Sequence, residues 1–177
     1  MRVTSAIFML CLLLVSCTKT KPRRAINGNS ISALDKTVAL NKKLFAKEQE
    51  QMQIYMDLDS SHTYINSNKG FWYTYLSKKE KGPRPIKGDR VTFEQDIIAL
   101  DGTVLYAKKE LGLRNYYVDK EHVIKGVKEG IKMMREGEEV KFLFSSFVAF
   151  RMNGDAAQRI DSNEPIISRI KIIKINK

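Results

Sequence analysis

The chain has 177 residues, 43% of them hydrophobic and 29% charged, with a formal net charge of +11. That composition excludes wholesale disorder, and the length leaves room for one ordinary domain plus an extension, not for two full domains. The basic balance suits anionic lipid or acidic partners. The lysines are scattered in pairs such as Lys42-Lys43, Lys78-Lys79 and Lys108-Lys109, which reads as a solvated surface and not as a nucleic-acid-binding arm.

Residues 1–16 predict a signal segment: Met1-Arg2 is a minimal basic start, and Val3 to Val15 is largely apolar but too short to span a bilayer. The segment ends in Leu14-Val15-Ser16-Cys17, which resembles a bacterial lipobox. The resemblance implies cleavage before Cys17 and diacylglyceryl transfer to its thiol. The expected product is a lipoprotein of the cell envelope, membrane-anchored and facing the periplasm. Cys11 would leave with the signal, so Cys17 would be the one cysteine retained, and it cannot staple its own chain. Residues 17–31 are poor in apolar side chains and contain Pro22 and Gly28, the composition of a flexible tether.

Residues 32–60 predict an amphipathic helical extension. Leu34, Val38, Phe45, Met52 and Met56 fall near helical spacing, with Ser32 as N-cap and Asp35 in the first turn. Its stripe could pack on its own domain, on a client, or on a second copy, giving a homodimer through residues 32–56.

Residues 70–177 predict a separate domain. Alternation marks strands at Phe71–Leu76 and Val91–Leu100, the second turning at Asp101-Gly102 into a return strand, Val104–Tyr106. Lys81 to Asp89 is a Gly- and Pro-rich loop, and Tyr116-Tyr117-Val118 is a short aromatic run. Asp119 is expected to cap a helix running to Met134, with Val123, Val127, Ile131 and Met134 on one face and Gly137 past its end. Strands follow at Val140–Phe144 and Ile166–Ile175, with a long irregular stretch at 145–165 between them; in the last strand Ile166, Ile170 and Ile172 are read as alternating with Ser168 and Lys171. The pattern predicts an α+β fold, a mostly antiparallel sheet with one main helix against it.

An ordered series of motifs runs through this domain: Gly88-Asp89-Arg90-Val91, Leu100-Asp101-Gly102, Val123-Ile124-Lys125-Gly126-Val127-Lys128-Glu129-Gly130, Met133 with Gly137-Glu138, and Glu164-Pro165. In this order and spacing, residues 87–177 resemble the FKBP-type peptidyl-prolyl cis-trans isomerase domain. The resemblance implies an FKBP-like fold, a curved sheet wrapped on the helix, with the helical extension added at its N-terminus. It also implies rotation about X–Pro bonds without a cofactor or metal. By resemblance, Val123 and Ile124 supply the floor of the pocket and a main-chain N–H, Val127 its base, and Tyr116 and Phe150 its walls. Gln95, Leu105 and Tyr106 complete the site at positions where the family more often carries tyrosine, phenylalanine and aspartate. Val127, Phe150 and Ser168 also depart from the family's usual tryptophan, tyrosine and aromatic.

The lipobox, helix and domain together resemble the lipoprotein prolyl isomerases associated with gliding motility. The expected partners are proline-containing polypeptides and a membrane reached through lipid on Cys17, with nucleic acid excluded. Two functions stay open: an isomerase assisting exported proteins, or a catalytically weak chaperone or binding module using the same groove. His62 and His122 lie far apart with no cysteine or second histidine nearby, which argues against a metal site.

Overall fold

The computed structural model describes the backbone from residue 28 and side chains from residue 34 onward, so the signal segment, Cys17 and most of the tether lie outside the described residues. A first helix, α1 (Gly28–Leu58), begins earlier than Ser32. The chain divides into two compact units between Ala39 and Leu40. In the first unit Leu34 and Val38 are exposed. Among the described residues no helix is long and apolar enough to cross a membrane.

In the unit Leu40–Lys177 the strands are β1 (Ile65–Asn66), β2 (Phe71–Ser77), β3 (Arg90–Ala99), β4 (Val104–Tyr106), β5 (Arg114–Tyr117), β6 (Glu139–Phe144) and β7 (Ile166–Asn176). They form a 7-stranded sheet in the order β1-β2-β6-β7-β3-β4, with β5 also paired to β3, and every pairing is antiparallel. β4 and β5 share one edge of β3: β5 takes its Arg90–Phe93 half and β4 its Ile97–Ile98 half. The β3–β4 turn forms as read, with Ala99 N–H donating to Thr103 O and the Asp101 carboxylate accepting the Thr103 N–H, both at 2.8 Å.

The sheet is covered on both faces, which a half-buried alternating pattern does not announce. On one face lies the short helix α3 (Lys125–Ile131), whose Val127 and Ile131 enter the main core beside Phe71, Phe93, Phe142 and Phe144. On the other, Trp72, Leu143, Ile167 and Ile98 form a row of register partners across β2, β6, β7 and β3. Met52, Tyr55 and Met56 of α1 pack on that row. Leu143 and Ile167 are therefore as buried as their neighbours, and β6 shows consecutive buried residues in place of alternation.

α1 is fastened to this face by polar groups as well. The buried Glu48 carboxylate accepts the Ser146 N–H at 3.0 Å and the Ser146 hydroxyl at 2.5 Å. At the helix end Asp59 accepts from Lys141 at 2.7 Å and Tyr64 at 2.6 Å, and lies 2.8 Å from His62 Nδ1. Burial alone would raise the Asp59 pKa, but these donors, Lys141 foremost, outweigh it and hold the carboxyl well below the usual range. The expected apolar stripe is thus only partly used. Met52 is buried and Met56 partly so, whereas Phe45 is exposed and the buried position between them is the glutamate.

Three expectations need correction. The helix expected over 119–134 is confined to Lys125–Ile131, because Asp119 adopts a left-handed backbone (φ 58°) and Ile124 at the N-cap is still extended. Val123 packs against the core from the non-helical stretch before α3, so it satisfies the helical spacing without being helical. Ser168 does not alternate with the isoleucines; it is fully buried and faces the same side as Ile166 and Ile170. A short helix α2 (Lys108–Leu111) lies where no element was expected.

Candidate functional site

A cavity of about 620 Å³ opens beside α3, lined by Gln95, Ile97, Tyr106, Leu111, Arg114, His122, Val123, Ile124, Val127, Phe150 and Asp155. Its base is apolar: Val127 is buried on the first turn of α3, and Ile97 comes from an inward position of β3. Ile124 sits at the lip with φ −57° and ψ 145°. That extended conformation lets its carbonyl accept the Lys128 N–H, and among the described residues its own N–H has no hydrogen-bond partner. Phe150, just before the 3-10 turn Arg151–Asn153, supplies an aromatic wall while packing partly on the core.

One side of the cavity is polar and internally bonded. Gln95 is 1% exposed at an inward position of β3; its amide donates to Ser168 Oγ at 2.8 Å and its carbonyl accepts from Arg114 Nη1 at 2.7 Å. These bonds explain how a glutamine and a serine can sit inside an otherwise apolar sheet face. Arg114 opens β5 opposite Phe93, and its guanidinium lies 5.6 Å from that ring's centre. Burial lowers its pKa from the usual arginine value, yet such a group stays protonated at neutral pH.

Asp155, which also lines the cavity, organises part of the irregular stretch that carries Phe150. Its carboxylate accepts N–H groups of Arg159 and Ile160, both at 2.7 Å, and of Ala157 at 3.2 Å, together with the Tyr106 hydroxyl. Burial favours the neutral acid, but the Tyr106 hydroxyl and these N–H groups prevail and hold Asp155 below the ordinary carboxylate pKa. The same bond to Asp155 raises Tyr106 above its ordinary value. Arg159 stacks on the Tyr106 ring at 4.6 Å and pairs with Glu110 at 2.6 Å.

The structure brings Gln95, Tyr106, Val123, Ile124, Val127 and Phe150, six of the residues named by resemblance, together on one cavity. It does not bring two others there. Tyr116 is fully buried in the core, where its hydroxyl accepts the Asp119 N–H at 3.0 Å and so fixes the turn leading to Val123 and Ile124. In β5 only alternate residues face inward, and the position nearer the cavity belongs to Arg114. Leu105 packs on the core, with its carbonyl accepting from Arg159 at 3.1 Å. Sequence reasoning missed Ile97, Leu111, Arg114, His122 and Asp155; the alternation of β3 could have supplied Ile97, but the others arrive from loops, a short strand and the short helix α2. Among the described residues no group of three or more His, Cys, Asp or Glu side chains could hold a metal ion.

The sequence pattern of the FKBP-type peptidyl-prolyl cis-trans isomerases matches residues 82–173, just over half of the chain. The chain belongs to this family. It is 33% identical over 100 residues to a probable FKBP-type peptidyl-prolyl cis-trans isomerase, FkpA, of Neisseria meningitidis serogroup B, a match covering 56% of this chain and 36% of that protein. The chain therefore spans about a third of the length of that relative. Among solved structures, a peptidyl-prolyl cis-trans isomerase of Pseudomonas syringae pv. tomato superposes with a TM-score of 0.63 at 19% identity, over 77% of this chain and 96% of that one. FkpA from Escherichia coli superposes with a TM-score of 0.62 at 17% identity, over 98% of this chain and 81% of that one. These likenesses establish an FKBP-like fold with an N-terminal helix.

Proposed function

We propose that this FKBP-family chain is a peptidyl-prolyl cis-trans isomerase acting on proline-containing polypeptides, with its active site in the 620 Å³ cavity. The observation that carries this reading is the pairing of an apolar base with an unpartnered Ile124 N–H at the lip. Amide resonance sets a rotation barrier of about 18–20 kcal/mol, and uncatalysed X–Pro exchange takes tens of seconds or longer. The twisted amide has lost its charge-separated resonance form, so an apolar pocket disfavours it less than water does. Val127, Ile97 and Val123 would receive the proline ring, Phe150 would wall it, and the Ile124 N–H would fix a substrate carbonyl. The residues do this by shape and one hydrogen bond, with no nucleophile.

The test is the cis-to-trans rate of several X–Pro peptides with the purified protein and two folded variants. Phe150→Ala is expected to lower kcat/KM roughly tenfold, equivalent to about 1.4 kcal/mol of lost transition-state binding, and Ile124→Asp to lower it further. No acceleration from well-folded protein would defeat the proposal.

A second reading, a chaperone holding unfolded clients, is favoured by a separate observation. A cavity of about 460 Å³ lies between α1 and the 145–152 segment, lined in part by Phe45, Phe147 and Met152, three side chains that are each more than half exposed. This reading leads if isomerisation is absent and the protein suppresses aggregation of an unfolded client in a way that Phe45→Ser removes. A change in sedimentation with Phe45→Ser would instead assign the helix to pairing two copies.

The envelope location completes the proposal. Its support is the lipobox at Cys17 and the polar stretch that follows, and a role in gliding motility rests on the combined likeness of lipobox, helix and domain. Incorporation of labelled palmitate into the wild type but not into Cys17→Ala is the expected result, and equal labelling of both would remove the anchor.

A further inference from the structure

Arg114 is the charged group of the cavity that the isomerase mechanism leaves unused. It lines the cavity with its side chain half-buried, fixed by the Gln95 carbonyl at 2.7 Å and the Phe93 ring at 5.6 Å. Both partners are neutral. Among the described residues no carboxylate lies within ion-pair distance of it. Asp155, the acid that lines the same cavity, is engaged by the Tyr106 hydroxyl and three backbone N–H groups. Arg159, the neighbouring cation, already has Glu110.

A half-buried guanidinium without a counter-ion has lost part of its hydration and gained no charge in return. It presents several N–H donors in a planar fork suited to a carboxylate, and only the bond to Gln95 uses them within the described residues. The Gln95 carbonyl and the Phe93 ring already hold the guanidinium, so less side-chain entropy is lost on binding. A ligand carboxylate would supply the missing charge at a position already shaped for it.

We propose that this cavity selects X–Pro bonds in which X is glutamate or aspartate, with Arg114 as the specificity residue that receives the carboxylate. The inference rests on the cavity being the proline site. A chain-terminal carboxylate offers the same chemistry, so the test separates the two sources.

Labelled X–Pro peptides with both ends blocked, X being Glu, Gln, Leu or Lys, are measured for binding by fluorescence anisotropy and for isomerisation rate. A Leu-Pro peptide with a free C-terminal carboxylate forms a further arm. The wild type is expected to prefer Glu to its neutral isostere Gln about tenfold at low salt, with the ratio shrinking as salt is added. Arg114→Met, which keeps most of the stem, should bring the ratio near one, and Arg114→Glu should turn the preference toward Lys. Equal binding of Glu and Gln peptides by the wild type, a comparison that needs no variant, overturns the proposal. So does a preference that survives in folded Arg114→Met, or a gain confined to the free-carboxylate peptide. Arg114-dependent binding of Glu–Pro without acceleration would keep the acidic selectivity and remove the isomerase. Acceleration without charge preference would do the reverse.

Discussion

Gly126→Val is expected to lose about 3 kcal/mol or more of stability, and Gly126→Ala about 2 kcal/mol, the range measured for overpacked cores. A β-carbon at Gly126 would stand 2.6–2.8 Å from three atoms of the Phe144 ring, where real contacts do not occur. Neither partner can yield. The Gly126 N–H is tied to Val148 O at 2.8 Å, which holds the start of α3 in place. Phe144 is fully buried, stacked on Phe142 at 5.3 Å and edge-on to Phe71 at 5.5 Å. Gly130, one turn on, meets Phe142 in the same way at 2.9 Å. The two glycines let the helix backbone lie directly on the aromatic rings, and Val127 and Ile131 then reach past them into the core. Urea unfolding should show a lower midpoint at an unchanged m-value; a Gly126→Ala protein within about 0.5 kcal/mol of wild type, the scatter of ordinary surface changes, would mean that α3 can shift off the sheet.

Glu138→Ala is expected to cost about 3 kcal/mol, since charge-assisted hydrogen bonds are each worth roughly 1.5–3 kcal/mol. The Glu138 carboxylate is completely buried and accepts the Lys79 N–H at 2.9 Å and the Arg135 N–H at 2.7 Å. Arg135, 3.6 Å from the same carboxylate, donates to the carbonyls of Gly82 at 2.9 Å and Lys79 at 3.3 Å. One acid thus joins the loop after β2, the turn after α3 and the start of β6. Truncation orphans two backbone donors and takes the counter-ion from Arg135. Glu138→Gln keeps the volume and one acceptor oxygen and should cost about half as much by the same accounting. Amide exchange should rise first at residues 78–82 in both variants; protection unchanged there would show that the loop is held by other means.

The sequence by itself determined most of the strands of this domain and one of its turns. β3, the Asp101-Gly102 turn and β4 were legible because inward and outward residues alternate and Gly102 suits the left-handed backbone it adopts. The run from Val123 to Gly130 marked the cavity floor only through the family resemblance it carries, and the close approach of Gly126 and Gly130 to the aromatic rings came from the folded packing. What local spacing cannot express was left to the tertiary structure. The helix shortened to Lys125–Ile131 because a non-helical Val123 can pack against the core as a helical one would. Tyr116 and Arg114 stand two apart on one strand, and only the pairing of β5 with β3 decided that the tyrosine enters the core while the arginine borders the cavity. Ser168 read as alternating with the isoleucines, and only antiparallel pairing, which brings it to 2.8 Å from Gln95, shows the two polar residues buried as each other's partners. The fate of the α1 stripe was likewise decided at a distance: Met52 is buried because Leu143 and Ile167 form an apolar row beneath it, and Phe45 is left exposed. Periodicity says which side of an element is apolar, but the charge and burial of a site depend on groups that meet only when distant strands are joined.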